Sequence, residues 1–469
     1  MRLQNQCFNE IEVGDSVHIQ HIVTQRDIQL FATVAGDFNP MHLEAAFANH
    51  AGYSGATISS MWLGAQISGL LGSQLPGPGT VYVGQNLQFQ AVAILGDTLD
   101  ISITAQEKIA EGNFVHFDCL CTNQHGQTVM TGSVKVIAPT EKISINQPEV
   151  GLVSVQTHDA FERLLERCKS LPAITVAVAH PCDESSLTSV IEAFLRGLIV
   201  PILVGPEVKI RALAAQCELD ISTLKIENTA HSHAAARRAV ELVERGDAAI
   251  LMKGSLHTDE LMSAVFDSGL RTERRISHVF IMDVPTYHKP LFVTDAAINI
   301  VPDLMAKCDI CQNAIDLAHV LGIPNPKVAI LSAVETVNPK IASTVDAASL
   351  CKMADRGQIT GGILDGPLAL DNAISYESAR IKNIVSAVAG DADILLVPDL
   401  VTGNVLAKQL SFMNNADAAG IVLGARVPIV LSSRADNARA KLASCAVACL
   451  LANSMLDSTA ISIASPHAK

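Results

Sequence analysis

Residues 61–71 read MWLGAQISGLL, apolar on almost every side of a helical wheel. A surface helix keeps one polar face, so an apolar circumference predicts a helix wrapped by other structure. The next four segments of the chain can supply the wrapping. Thr80–Val92, Thr98–Ile109, Asn113–Thr122 and Thr128–Ile137 carry strand composition and are separated by Gly-containing turns. The first part of the chain therefore reads as an α+β body, a sheet wrapped on a central helix.

Just upstream lies FATVAGDFNPMHLEAAF, residues 31–47, with Asp37 and His42 on either side of the rigid Asn39-Pro40 connector. Two groups able to move protons are thus held close together. Addition of water across an activated double bond needs such a pair, one group to deprotonate water and the pair to return a proton to carbon. An ordinary polar turn at a helix end would use the same residue types.

The spacing Asp, any residue, Asn-Pro, any residue, His resembles the motif of the (R)-specific enoyl-CoA hydratases, the MaoC-like dehydratases of the hot-dog fold. The resemblance runs from about Val13 to Ala138 and includes SGLLGSQLPGPGTVYVGQNLQF, residues 68–89. It implies that Asp37 and His42 are the catalytic dyad, that Asn39 belongs to the motif, and that Ser68 lines the pocket. Where these hydratases carry His-Gly at the start of the central helix, this chain has Ser59-Ser60. The Ser60 N–H at the helix N-terminus is the remaining candidate to hold the thioester oxygen.

The 469 residues suggest two or three domains. Lys and Arg number 33 against 47 Asp and Glu, a formal charge of −14, which disfavours a nucleic-acid partner. Mean hydropathy is +0.31, but the apolar residues fall in short runs, none of the roughly 20 residues a membrane helix needs. The N-terminus, MRLQNQCFNEIEVGD, has no apolar signal core. Eleven scattered cysteines form no framework, and Cys308 with Cys311 is a lone C-x-x-C in a helical pattern. A reduced, cytoplasmic protein is the expectation. His231-x-His233 lacks a third ligand, His278 alternates within a strand, and His180 ends one; no metal site is expected.

Residues 1–138 are taken as the first domain, 139–157 as a Pro-containing linker, and 158–469 as the second domain. In the second, the β-branched runs Ile174–Ala179, Ile199–Val204, Ala248–Met252, Lys327–Leu331, Ile394–Val397 and Ile429–Leu431 alternate with helical stretches such as Ala234–Arg245, Ala306–Leu321 and Asn437–Leu451. That alternation predicts an α/β domain with a parallel sheet, split by a cleft into two subdomains. Ligands in such sheets sit at the carboxyl ends of strands.

Several strand ends carry residues suited to phosphate. LMKGSLHTDELM, residues 251–262, supplies Lys253, Gly254 and Thr258; residues 269–285 supply Arg271, Arg274 and Arg275. Residues 361–375 supply Asp365 and Asp371, and residues 392–410 place Gly403 and Asn404 at a helix start. VPIVLSSRADNARAKL, residues 427–442, ends a strand in Ser432-Ser433-Arg434. Helix N-termini and arginine forks match phosphate oxygens, although each segment alone is also an ordinary turn or surface feature.

In this order, RTERRISHVF, LFVTDAAINIVPD, DGPLALDNAIS and LSSRADNARAKL resemble the phosphate acetyl/butyryltransferases, the butyryl branch more than the acetyl branch. The match runs from about Ala173 to Ala452. It implies that coenzyme A and inorganic phosphate are substrates, that no cofactor is bound permanently, that Ser433 and Arg434 sit at the reacting centre, and that Arg271 is a second phosphate clamp. Where the acetyl branch has an Asp proposed as the thiol base, this chain has Ala440; Asp436 is nearer, and helix capping explains it equally well.

The reading is a bifunctional enzyme acting on acyl-CoA, enoyl-CoA and acyl phosphate, a homo-oligomer by resemblance. One alternative makes the hot-dog half a non-catalytic acyl-CoA-binding and oligomerisation module. Another makes the second half a decarboxylating dehydrogenase, which would need nicotinamide and metal sites that the sequence does not offer.

Overall fold

The computed structural model describes residues 2–146, 159–431 and 436–464, the side chains of Asp159 and 457–464 excepted. The chain divides into two compact units, Met1–Val155 and Gln156–Lys469.

In the first unit the strands are β1 (Arg2–Gln4), β2 (Ser16–Ile22), β3 (Val81–Phe89), β4 (Thr98–Ile109), β5 (Phe114–Asn123), β6 (Thr128–Ile137) and β7 (Ser144–Asn146). Five of them form an antiparallel sheet in the order β2-β4-β5-β6-β3. The helix Ser60–Ser73 lies on it, burying Trp62, Leu63, Ile67, Leu70 and Leu71 in one core with Ile101, Ile103, Phe117 and Val134. The wrapping is incomplete. Met61, Ala65, Ser68, Gly69 and Gly72 are exposed, and their spacing places them on one stripe. The apolar circumference of residues 61–71 thus serves two surfaces, the sheet on one side and an uncovered strip on the other.

β7 pairs with β1, and the Asn5 side chain ties residues 141 and 143 to the same edge through the Glu141 carbonyl and the Ile143 N–H. The ordered first unit therefore continues through Asn146 into the expected linker; residues 147–158 lie outside the described residues.

The second unit contains β8 (Ile174–Ala179), β9 (Ile199–Gly205), β10 (Lys225–Asn228), β11 (Ile250–Lys253), β12 (Ser277–Asp283), β13 (Leu291–Thr294), β14 (Lys327–Leu331), β15 (Ile363–Leu368), β16 (Ile394–Leu396), β17 (Asp417–Leu423) and β18 (Ile429–Val430). They make one sheet in the order β10-β9-β8-β11-β18-β17-β12-β13-β16-β14-β15. The pairings from β10 to β18 and from β13 to β15 are parallel; those joining β18, β17, β12 and β13 are antiparallel. Three antiparallel pairings reverse the sense of the strands, so the two parallel halves present their carboxyl ends at opposite edges. The alternation of strand and helix in the sequence does not disclose this, because β12, although flanked by antiparallel partners, is buried along its length and reads like the parallel strands elsewhere in the sheet.

The last helix, Ala438–Ala464, is longer than the expected Asn437–Leu451. Its segment Ala438–Leu456 is apolar enough by composition to cross a membrane, but 72% of it is buried inside this unit. Leu442, Cys445, Ala446 and Cys449 sit in one core with Val176, Leu203 and Ile250, which makes it a core helix.

Candidate active sites

The helix Gln25–Ala35 starts on a Thr24/Asp27 capping box and stops at Gly36, whose φ of 67° turns the chain back. Three residues later Asn39 caps the short helical turn Pro40–Leu43, its side-chain oxygen accepting from the Met41 N–H at 3.1 Å. Asn39 thus builds the connector. On its two sides, His42 Nε2 stands 3.5 Å from Asp37 Oδ2. The other ring nitrogen, Nδ1, lies 2.8 Å from Thr57 Oγ1 and 3.0 Å from the Thr57 carbonyl oxygen. The motif contains no signal for Thr57, which is 15 residues from His42 in the chain and is brought there by the approach to the central helix. Ser60 is the first residue of that helix, after Ser59, which makes no side-chain cap. Ser68 lies two turns further along, on the exposed stripe and about 12 Å from the helix start.

In the second unit, the exits of β8 and β11 are pressed together. A Cβ on Gly254 would lie 2.5 Å from the His180 carbonyl oxygen and 2.6 Å from that of Ala179, so only glycine fits. Ser255 Oγ donates to the His180 carbonyl at 2.8 Å and lies 2.9 Å from His180 Nδ1. Burial lowers the pKa of His180. Lys253 is buried, its ammonium donating to the Gly254 carbonyl at 3.2 Å. Thr258 opens the helix Thr258–Phe266. β18 runs parallel beside β11, with Met252 opposite Val430, so the chain leaves the sheet towards position 432 at this same edge. Ser433 and Arg434 lie outside the described residues. Beyond them, Asp436, Asn437 and Ala440 wall a groove of about 240 Å³ whose other walls include Phe280, Asn404 and Lys408.

Arg271 is elsewhere. It precedes β12 and pairs with Ala425 at the opposite edge of the sheet. There Arg271, Arg274 and Arg275 line a cleft of about 400 Å³ with Asn299. Arg274 pairs with Asp316, and Arg275 Nε donates to Asn299 Oδ1 at 2.8 Å. Asn299 Nδ2 in turn donates to Asp295 Oδ2 at 2.6 Å. Asp295 also accepts from the N–H groups of Ala297, Ile298 and Asn299, yet burial pushes its carboxyl above the usual carboxylate range. Arg271 makes no side-chain hydrogen bond or ion pair among the described residues. The sequence does not single out the Asp295–Asn299–Arg275 chain, because an apolar run, FVTDAAINIV, conceals it.

Gly403 and Asn404 are close-packing residues. A Cβ on Gly403 would lie 2.7 Å from the Asp295 carbonyl oxygen, and Asn404 Nδ2 donates to the Ala296 carbonyl at 3.2 Å. Asp399 caps the N-terminus of their helix by accepting from the Thr402 N–H at 2.8 Å. Asp365 lies within β15, accepting from the Gly366 N–H, and Asp371 pairs with Lys382. His231 caps the helix Ser232–Glu244. Cys308 and Cys311 are both buried in the helix Leu304–Val320, where burial raises both thiol pKa values.

Residues 10–118 match the MaoC like domain, and residues 230–449 match the phosphate acetyl/butaryl transferase family. The chain is 63% identical over 295 residues to the phosphate acetyltransferase of Rhizobium meliloti, covering 62% of this chain and 93% of that protein. It is 43% identical over 295 residues to the phosphate butyryltransferase of Clostridium acetobutylicum, covering 62% of this chain and 98% of that protein. The leaning of the motif strings towards the butyryl branch is thus not matched by overall identity, which is higher to this acetyltransferase. Among solved structures, R-hydratase PhaJ1 from Pseudomonas aeruginosa is 37% identical, with 33% of this chain and 99% of that chain covered and a TM-score of 0.32. The chain belongs to the phosphate acetyl/butyryltransferase family and carries a MaoC-like domain ahead of the transferase domain.

Proposed function

We propose that the second unit transfers an acyl group reversibly between coenzyme A and inorganic phosphate, and that the first hydrates 2-enoyl-CoA or dehydrates 3-hydroxyacyl-CoA. The observation that carries the first half of this reading is the 63% identity to a phosphate acetyltransferase across nearly all of its length. In the transfer, the thiolate of coenzyme A attacks the acyl phosphate carbonyl. A carbon–sulfur bond forms, the carbon–oxygen bond to phosphate breaks, and phosphate leaves with the electron pair. By the motif they match, Ser433 is assigned the developing oxyanion and Arg434 the phosphate. Lys253, at the neighbouring strand exit, adds positive charge at that edge. Asp436 lines the groove that Ala440 also walls, and is the candidate for the thiol proton. Arg271, across the sheet, serves an anionic group in its own cleft.

For the first unit the carrying observation is the 3.5 Å approach of His42 Nε2 to Asp37 Oδ2. A water beside the gap can donate to both, leaving its oxygen free to attack the β-carbon of an enoyl thioester. The proton taken from water is returned to the α-carbon, and the Ser60 N–H faces the thioester oxygen at the helix start. Substrates are therefore acyl-CoA, enoyl-CoA, acyl phosphate and phosphate, in a cytoplasmic homo-oligomer without nucleic-acid or membrane partners. The exposed stripe on the helix Ser60–Ser73 supports self-association.

Phosphate-dependent release of free thiol from acetyl-CoA and butyryl-CoA tests the transferase. No release from either overturns it. Loss of enoyl-CoA absorbance tests the hydratase, and an inert wild type leaves the first unit as a binding module.

A further inference from the structure

We propose that Thr57 is a positioning residue that holds His42 in the tautomer carrying its proton on Nδ1, leaving Nε2 bare towards Asp37. This rests on the hydratase reading of the first unit. Thr57 is 1% exposed. Its hydroxyl lies 3.1 Å from the Met41 carbonyl oxygen, an acceptor only, so the hydroxyl proton is directed there. The same oxygen then has only lone pairs to offer His42 Nδ1 at 2.8 Å. The Thr57 carbonyl, 3.0 Å from Nδ1, also only accepts. Both neighbours of Nδ1 demand a donor, so the ring proton sits on Nδ1 and the neutral imidazole has a lone pair on Nε2.

The consequence is chemical. Across the 3.5 Å gap, Nε2 and the Asp37 carboxylate are then both acceptors, and they attract a donor such as water rather than bonding to each other. The opposite tautomer would let Nε2–H donate to Asp37 and close the site on itself. The Thr57 N–H also donates to the Met41 carbonyl at 3.0 Å. The residue therefore grips the short helical turn through its backbone and its hydroxyl together, fixing ring orientation as well as proton position.

The test uses the full chain labelled with 15N-histidine, with His42→Asn to identify the signal. The expected long-range 1H–15N pattern at neutral pH is that of Nδ1–H; an Nε2–H pattern overturns the proposal, whatever the activity. With a short 2-enoyl-CoA, Thr57→Val removes the hydroxyl at nearly constant volume. It should lower kcat about 10-fold with KM within about 2-fold, as the loss of one hydrogen bond predicts, while Thr57→Ser restores kcat. An unchanged kcat in Thr57→Val, or a Thr57→Ser as slow as Thr57→Val, overturns it. Should wild type hydrate no enoyl-CoA, the hydratase reading fails by itself, and the tautomer pattern still decides for or against the role of Thr57.

Discussion

The backbone of Gly254 lies against that of His180 so closely that a Cβ at position 254 would sit 2.5 Å from the His180 carbonyl oxygen. Neither partner is a flexible side chain. Gly254→Ala must therefore part the exits of β8 and β11, next to the exit of β18. Overpacking of this kind costs about 1–3 kcal/mol. Calorimetry should show the transition of the α/β unit lowered by several degrees, with transferase activity reduced and hydration retained. An unchanged transition temperature would show that the contact can relax.

The two chemistries should be separable by single substitutions. Asp37→Asn or His42→Gln removes one half of the dyad and should lower hydration by about 100-fold or more, leaving phosphate-dependent thiol release intact. Arg434→Ala should do the reverse. Paired assays on each variant check this. A common loss of both activities in any of them would mean that the sites are not independent.

Much of this arrangement was legible in the sequence, and unevenly so. The approach of His42 to Asp37 was readable because the two lie five residues apart on one connector, so local geometry alone brings them together. Thr57 was not, since its approach to His42 is a tertiary event with no local pattern. The strands of the α/β unit were readable by composition, but their sense was not. Lys253 ends β11 and Arg271 precedes β12, which runs in the same sense, so these two lie at opposite edges in either reading. What the reversal changes is β13. Its exit, with Asp295 and Asn299, comes to the entry edge of β12 beside Arg271 and Arg275, whereas a uniformly parallel sheet would send it to the edge of Lys253. Gly403 looked like a phosphate-loop glycine because helix starts favour anions, but Asp399 already caps that helix, and the glycine is required by the nearby Asp295 backbone.

A buried imidazole sets a pH dependence for the second unit. His278 is 1% exposed, has no partner for Nδ1, and is pushed by burial down to about 3. The folded protein keeps this ring neutral, whereas the unfolded chain takes up a proton below about pH 6.5. Protons thus favour the unfolded state. Stability from this site is intact above about pH 6.5 and declines as pH falls towards 3, by up to about 1.4 kcal/mol per pH unit. Denaturant unfolding between pH 7 and pH 5 should show a shallower slope for His278→Leu than for wild type, and no penalty at neutral pH for removing an unpaired polar atom. Equal slopes would place a partner on the ring.

The uncovered stripe on the central helix of the first unit predicts self-association. Met61, Ala65, Ser68, Gly69 and Gly72 share one face, and four of these five are small, which allows a second helix to approach closely. The neighbouring β3 is an edge strand carrying the exposed Val81 and Val83, and an exposed apolar edge is a template for pairing. A twofold arrangement would use the same patch on both copies. Ala65→Glu puts a charge in the middle of the stripe at a site that is already exposed, so the fold of one chain should tolerate it. Sedimentation velocity should give wild type a mass above the 49.6 kDa of one chain, and Ala65→Glu a smaller assembly with an unchanged circular dichroism spectrum. A wild type that sediments as one chain, or an Ala65→Glu variant of unaltered mass, would leave the stripe as solvent-exposed surface and remove self-association through this helix.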